Sequence, residues 1–190
     1  MNQQNGWTLF LDRDGVINER IPGAYIKDWK DFQFTPDALQ AIQQICQFFT
    51  RVFIVTNQQG IGKNLMTRED LARLHQQMRD TIVAHKGRID GIYYCPDLAT
   101  QTGNCRKPNP ALALKAKADF PDIGFTRSVM VGDSISDIQF GQNLGMRTVL
   151  IDTKEDEKEQ WIAAKAAGVT PDLTLPNLAS LIAYLPALLS

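Results

Sequence analysis

Long apolar runs are missing from this chain. Those present, such as Val52-Phe53-Ile54-Val55, fall far short of the about 20 residues a membrane span needs. The amino terminus, Met1-Asn2-Gln3-Gln4-Asn5-Gly6, lacks the basic region and apolar stretch of a secretory leader. Cysteine is scarce: three residues, odd in number and widely spaced, make no disulfide framework and point to a reducing, cytoplasmic compartment. Excess charge is absent too, since 20 Lys and Arg stand against 21 Asp and Glu, interspersed along the chain. No electrostatic footprint for nucleic acid or an anionic membrane results, so neither is expected as a partner. Internal repeats, low-complexity tracts and dividing linkers are also lacking.

What is present is a globular composition, 44 % hydrophobic and 22 % charged, in 190 residues. A single domain over residues 1–190 is expected, burying roughly 70 % of its unfolded surface. Short apolar runs alternate with helical spacings, the pattern of a doubly wound, Rossmann-like α/β fold in three layers with a mostly parallel sheet. The runs are residues 7–11, 52–55, 92–94, 128–131, 148–151 and a short edge at 173–175. Helices are predicted over 36–49, from Thr67 through Val83, and over 110–118, 134–144, 155–167 and 177–189. Thr35-Pro36-Asp37 reads as a cap followed by proline at the first helical position. Two long loops, 13–35 and 96–109, are of a length that is usually functional. The elements use nearly the whole chain, so any cap over the site is minimal and made of loops.

The chemistry starts at Phe10-Leu11-Asp12-Arg13-Asp14-Gly15. Two carboxylates one residue apart follow an apolar strand, at the carboxyl end of a parallel sheet where ligands bind. Held so close they favour a divalent cation, although the pair alone fits an inert, solvated turn equally well. Three further signals follow in order, each at the end of a predicted strand or after the second long loop. Thr56-Asn57-Gln58 offers a hydroxyl and amides for phosphate oxygens, and Lys107 a compact cation. Gly132-Asp133-Ser134-Ile135-Ser136-Asp137 adds a second acidic pair, with Asp133 at the mouth of a helix and Asp137 one turn inside, where it can orient its neighbours.

Asp12-x-Asp14-Gly15, Thr56-Asn57, Lys107 and Gly132-Asp133-x-x-x-Asp137 resemble, in order, the four motifs of the haloacid dehalogenase superfamily, over residues 7 to about 152. The wording Asp12-Arg13-Asp14-Gly15-Val16-Ile17-Asn18, Thr56-Asn57-Gln58-Gln59-Gly60-Ile61 and Cys105-Arg106-Lys107-Pro108 is similar to that of the D,D-heptose 1,7-bisphosphate 7-phosphatases. Histidinol-phosphate phosphatases are close relatives of that subgroup.

The resemblance implies a phosphatase working through an aspartyl-phosphate. Asp12 would be the nucleophile, and Asp14 the acid and base that serves leaving oxygen and water. Thr56 and Lys107 would stabilise the transferring phosphoryl group. Mg²⁺ would be held by Asp12, the Asp14 backbone carbonyl and Asp133, with Ser134 and Asp137 in support. Arg106, Asn57, Gln58 and Gln59 would meet the substrate, with Asn18 and Tyr25 as sugar contacts. The implied substrate is the 7-phosphate of D-glycero-D-manno-heptose 1,7-bisphosphate, with histidinol phosphate or another small phosphomonoester as the alternative. A non-catalytic binding protein on the same fold is a more distant one. The enzyme is expected to act as a monomer on a small sugar phosphate.

Many members of the subgroup carry a structural zinc in the loop before the lysine, on a Cys-x-His and a Cys-x-Cys pair. Here Asp97 stands where histidine is expected and Gly103 where a cysteine is, leaving Cys95, Asp97 and Cys105 as a degenerate set. Closed zinc sites take four protein ligands, so zinc is not expected. Cys95 and Cys105 then read as reduced thiols, with a disulfide pinning the loop as a further option.

Other features are set aside. Gly60-Ile61-Gly62-Lys63-Asn64 lacks the spacing of a nucleotide-binding loop and reads as a flexible segment beside the strand end. His75 and His85, ten apart on one helix, read as surface residues. Lys154 to Glu159 reads as a solvated helix start. Trp7, Trp29 and Trp161 are too scattered for a stacking platform, and Cys46 reads as core packing.

Overall fold

The computed structural model describes residues 6–153 and 157–190. Six strands, β1 (Thr8–Leu11), β2 (Arg51–Asn57), β3 (Gly91–Cys95), β4 (Ser128–Gly132), β5 (Arg147–Ile151) and β6 (Leu173–Leu175), form one sheet in the order β3-β2-β1-β4-β5-β6. Every pairing is parallel, with Leu9 beside Val52 on one side and Val129 on the other. The strands are apolar on both faces because both faces are covered. Leu9, Leu11, Val52 and Ile54 face α1 (Ala38–Ile45), α2 (Arg68–Ala84) and the carboxyl-terminal turns. Phe10, Phe53 and Val55 face α3 (Ala111–Asp119) and α4 (Ile135–Asn143). Leu150 and Ile138 pack with Trp161 of α5 (Lys158–Ala166). The order turns back beside β1, so β1 and β4 flank the switch point where doubly wound sheets bind ligands. No helix among the described residues is long and apolar enough to cross a membrane.

Several boundaries differ from expectation, each for a local reason. α1 opens at Ala38, not residue 36: Asp37 takes φ 60 and makes no side-chain cap, while the Thr35 hydroxyl donates to Val16 O at 2.9 Å. That helix ends at Ile45 and gives way to turns before Thr50. The end of the chain is a 3-10 helix, Ala179–Tyr184, followed by the short α6 (Leu185–Leu188). Pro186 sits in the first turn of α6, where its missing N–H needs no partner. α2 starts as expected, on a reciprocal capping box between Thr67 and Asp70. Leu71, Leu74, Met78 and Ile82 are buried, whereas Val83 is 56 % exposed. The helix expected from residue 155 is seen from Lys158, and residues 154–156 lie outside the described chain.

Candidate active site

Asp12 follows β1 and donates its N–H to Val131 O of β4 at 2.8 Å, which locks the end of β1 to its neighbour. The chain then doubles back. The Arg13 carbonyl accepts from the N–H groups of Ile17 (2.9 Å) and Asn18 (3.1 Å), and Gly15 takes φ +86. A Cβ at Gly15 would stand 2.1 Å from Asp133 Oδ2, so only glycine fits between this turn and the end of β4.

Lys107 arrives from the second long loop and is fully enclosed. Its ammonium lies 2.8 Å from Asp12 Oδ1, 2.7 Å from Val55 O and 2.6 Å from Asp137 Oδ1. Asp12 and Val55 accept hydrogen bonds from it, and Asp137 pairs with its charge. Burial opposes the charge, but Asp12 and Asp137 outweigh it and hold the ammonium above its ordinary range. Asn57 fixes the Lys107 backbone, accepting its N–H at Oδ1 (2.9 Å) and donating from Nδ2 to its carbonyl (3.3 Å). Burial pushes Asp12 up to about 6, with Lys107 pulling down and Asp137 and Asp14 adding to the rise.

Asp14 faces elsewhere. Its Oδ1 accepts from Arg13 Nη2 (2.8 Å) and Asn18 Nδ2 (3.0 Å), and its Oδ2 from Gln58 Nε2 (2.8 Å). Burial alone would raise its pKa, but the Arg13 charge and these donors bring it below the usual carboxylate value. Asp137 has one oxygen on Lys107, while the other accepts from Ser134 N (3.0 Å) and Oγ (2.6 Å), capping α4.

The acidic group fits a divalent cation. Asp12, Asp133 and Asp137 each offer a carboxylate oxygen within 4.8 Å of the others, all three buried. Hard oxygen donors of this kind suit Mg²⁺. Because both Asp137 oxygens already serve Lys107 and α4, Asp12 and Asp133 are the side chains best disposed to ligate. Around them opens a cleft of about 510 Å³, whose walls include Arg20, Tyr25, Lys63 and Arg106. An acidic floor with cations on the wall is a surface for phosphate esters held through a metal.

A HAD-hydrolase-like family model matches residues 104–181. D-glycero-alpha-D-manno-heptose-1,7-bisphosphate 7-phosphatase of Mycobacterium tuberculosis is 38 % identical over 138 residues, 73 % of either chain. The chain belongs to the heptose-1,7-bisphosphate 7-phosphatase family of HAD-like hydrolases. It is a phosphatase by that membership. D-glycero-beta-D-manno-heptose-1,7-bisphosphate 7-phosphatase of Vibrio cholerae is 36 % identical over 160 residues, 80 % of this chain and 84 % of that one. Among solved structures, the D,D-heptose 1,7-bisphosphate phosphatase of B. bronchiseptica, complexed with magnesium and phosphate, superposes with TM-score 0.82. It is 28 % identical and covers 95 % of this chain and 98 % of its own.

Within this heptose-bisphosphate phosphatase framework, Asp12, Asp14, Thr56, Asn57, Gln58, Gln59, Arg106, Lys107, Asp133, Ser134 and Asp137 all line one cleft. Four of the residues expected to meet substrate are engaged otherwise, Asn57 with the Lys107 backbone as described above. Asn18 is 0 % exposed and braces Asp14 from behind, because the turn after Gly15 folds it inward. Gln58 directs its amide N–H groups to Asp14 and to Thr56 Oγ1 (2.9 Å). Gln59 donates to Tyr25 O–H at 2.9 Å, tying the first loop to the β2–α2 connection. The glycine segment 60–64 is a turn closed by its own backbone bonds, and Gly62 N–H reaches Pro96 O at 3.1 Å.

Cys95 and Cys105 form a disulfide, which corrects the reading of two reduced thiols. The loop between them returns on itself, with Asp97 accepting the Cys105 N–H at 3.0 Å, and brings the two Cα atoms to 5.5 Å, within bridging range. The same three residues could gather around a metal ion, but sulfurs joined to each other are not thiolate ligands. His75 is also corrected: it is buried at 6 % exposure, with Nε2 3.2 Å from Arg13 Nη1. Spacing along α2 could place it on a face, but the partner on that face comes from residue 13, far away in sequence.

Proposed function

We propose that this chain hydrolyses the 7-phosphate of D-glycero-D-manno-heptose 1,7-bisphosphate, with Mg²⁺, through an aspartyl-phosphate on Asp12. The observation that carries the reading is the pairing of Asp12 with Lys107 at the floor of a cleft whose walls carry Arg20, Lys63 and Arg106. A bisphosphate can place one phosphate at the floor and the other against that wall. Lys107 holds Asp12 Oδ1, which leaves Oδ2 to attack phosphorus. The Oδ2–phosphorus bond forms and the bond from phosphorus to the sugar oxygen breaks; Asp14, held ionised by Arg13 in the free protein, takes up a solvent proton as substrate binds and delivers it to that oxygen. Water then attacks the phosphoryl group, Asp14 takes its proton, and the bond to Asp12 breaks to release phosphate. Thr56 and Lys107 stabilise the phosphoryl oxygens as charge redistributes. Mg²⁺, held by Asp12, the Asp14 backbone carbonyl and Asp133, would supply charge neutralisation at those oxygens.

The reading is of a monomeric enzyme acting on a small sugar phosphate, with no nucleic acid or membrane partner, in the cytoplasm, where a bond such as Cys95–Cys105 is an exception to the usual reduced state. It has no role for zinc, since the disulfide occupies the two sulfurs. The test is phosphate release over both anomers of heptose bisphosphate, histidinol phosphate, fructose bisphosphate and nucleotides, with Mg²⁺ and with EDTA. Heptose bisphosphate is expected to be the best substrate, silent with EDTA and silent in Asp12→Asn. Near-normal turnover by Asp12→Asn would overturn the nucleophile, and a better substrate elsewhere in the panel would overturn the sugar.

A further inference from the structure

The mechanism above makes no use of the one buried histidine of α2. His75 shares a face with Leu71, Leu74 and Met78, and its ring stands at 64° to that of Tyr94, centroids 6.1 Å apart. Guanidinium nitrogens only donate, so in the contact with Arg13 Nη1 the acceptor is His75 Nε2 and the ring proton sits on Nδ1. Arg13 is 1 % exposed, and its opposite edge carries the clamp on Asp14: Nε to Oδ1 at 3.2 Å, Nη2 to Oδ1 at 2.8 Å and to Oδ2 at 3.0 Å. The neutral ring is the stable form here, for burial pushes His75 down to about 3, with Arg13 adding and Asp14 opposing.

We propose that His75 is a positioning residue for Asp14: by accepting from Arg13 Nη1 it fixes the plane of the guanidinium, whose other edge sets the Asp14 carboxylate in the cleft. This rests on the reading of Asp14 as the group that protonates the leaving oxygen. The guanidinium is a rigid fork, so acceptors on two opposite edges remove its rotation. Without the imidazole, Nη1 is buried unsatisfied, the fork turns to find an acceptor, and Asp14 turns with it. What is lost is aim at the leaving oxygen, not attack by Asp12. A purely structural histidine would instead lower every substrate alike.

The experiment compares kcat/KM for heptose 1,7-bisphosphate, whose sugar oxygen must be protonated, with 4-nitrophenyl phosphate, whose leaving oxygen needs no proton. In His75→Leu the sugar ester is expected to fall at least ~10-fold more than the aryl ester, a part of the ~10²–10⁴ that general acid–base catalysis supplies. His75→Gln, whose amide oxygen can accept from Nη1, is expected to restore most of the ratio. Equal losses on both esters in His75→Leu, or a Gln variant no better than Leu, overturn the proposal. Asp14→Asn is the reference. If it spares the sugar ester, the reading of Asp14 falls; if it does not and His75→Leu leaves the ratio unchanged, the positioning role alone falls. The ¹⁵N signals of His75 in the native protein decide independently of any variant's folding. An unprotonated Nε2 with a protonated Nδ1 is expected, and a protonated Nε2 overturns the proposal.

Discussion

Lys107 sits 2.8 Å from Asp12, which follows the first strand, and 2.6 Å from Asp137, in the first turn of α4, so one buried cation joins two parts of the chain that approach only in the folded sheet. Removing it should hurt twice. Lys107→Met leaves two buried carboxylates without their counter-charge, a change worth about 3–5 kcal/mol of stability when a buried pair is broken. Activity should fall by at least ~10², as for loss of a transition-state donor. Adding Asp137→Asn should recover much of the melting temperature and none of the turnover; calorimetry and phosphate release on both variants check this.

Gly15→Ala should separate folding from metal binding. The added Cβ meets Asp133 Oδ2 at 2.1 Å, and the backbone at φ +86 disfavours any side chain. The carboxylate must move, so Mg²⁺ affinity should fall about 10–100-fold, the range seen when a ligand's support is altered. Isothermal titration with Mg²⁺ reads this directly, and unchanged affinity would refute the placement of Asp133 at the cation.

The acid side of the pH profile should depend on magnesium. Asp12 is raised to about 6 by burial, and in the proposed mechanism only its ionised form attacks phosphorus or binds a cation. As pH falls through about 6 the metal-free carboxylate takes a proton, so Mg²⁺ affinity and kcat/KM should both drop there. Saturating Mg²⁺ competes with that proton and should move the acid limb to lower pH. An acid limb that stays put across a wide range of Mg²⁺ concentration would contradict this.

The Cys95–Cys105 bond spans a separation of ten residues and precedes Arg106 and Lys107 directly. Closing a loop of that size is worth about 3 kcal/mol on chain-entropy grounds. Cys95→Ser with Cys105→Ser should lower the melting temperature, and reductant should do the same to the native protein. Since the loop delivers Arg106 to the cleft wall, KM should rise more than kcat falls. Thiol titration of the unfolded, unreduced chain should find Cys46 alone; three thiols would refute the bond.

What the sequence revealed follows the reach of each interaction. Asp12, Asp14 and Asp133 could be read because each follows a strand signal, and a parallel sheet brings strand ends together whatever the register; Lys107 could be read because it closes the second long loop. The apolar run of β2 stops at Val55, while the strand continues to Asn57, since pairing with β3 carries Thr56 and Asn57 into the ladder. Asn18 and Gln58 have side chains suited to substrate, yet both turn inward to Asp14, a choice set by a partner one turn or one strand away. His75 had no local mark at all. Its role is visible only once α2 lies against the residue after Asp12.

β1 has a further property as a central strand. Thr8 pairs with Arg51 on one side, but its other neighbour, Ser128, is synthesised only after more than half the chain. Until β4 emerges from the ribosome, β1 is an open edge whose apolar side chains and unpaired backbone groups invite the wrong strand. Asp12 meanwhile lacks the Val131 carbonyl that locks it in place. Nascent chains shorter than β4 should therefore be inert and in need of chaperone cover, and competence should arrive abruptly as the middle of the sheet closes.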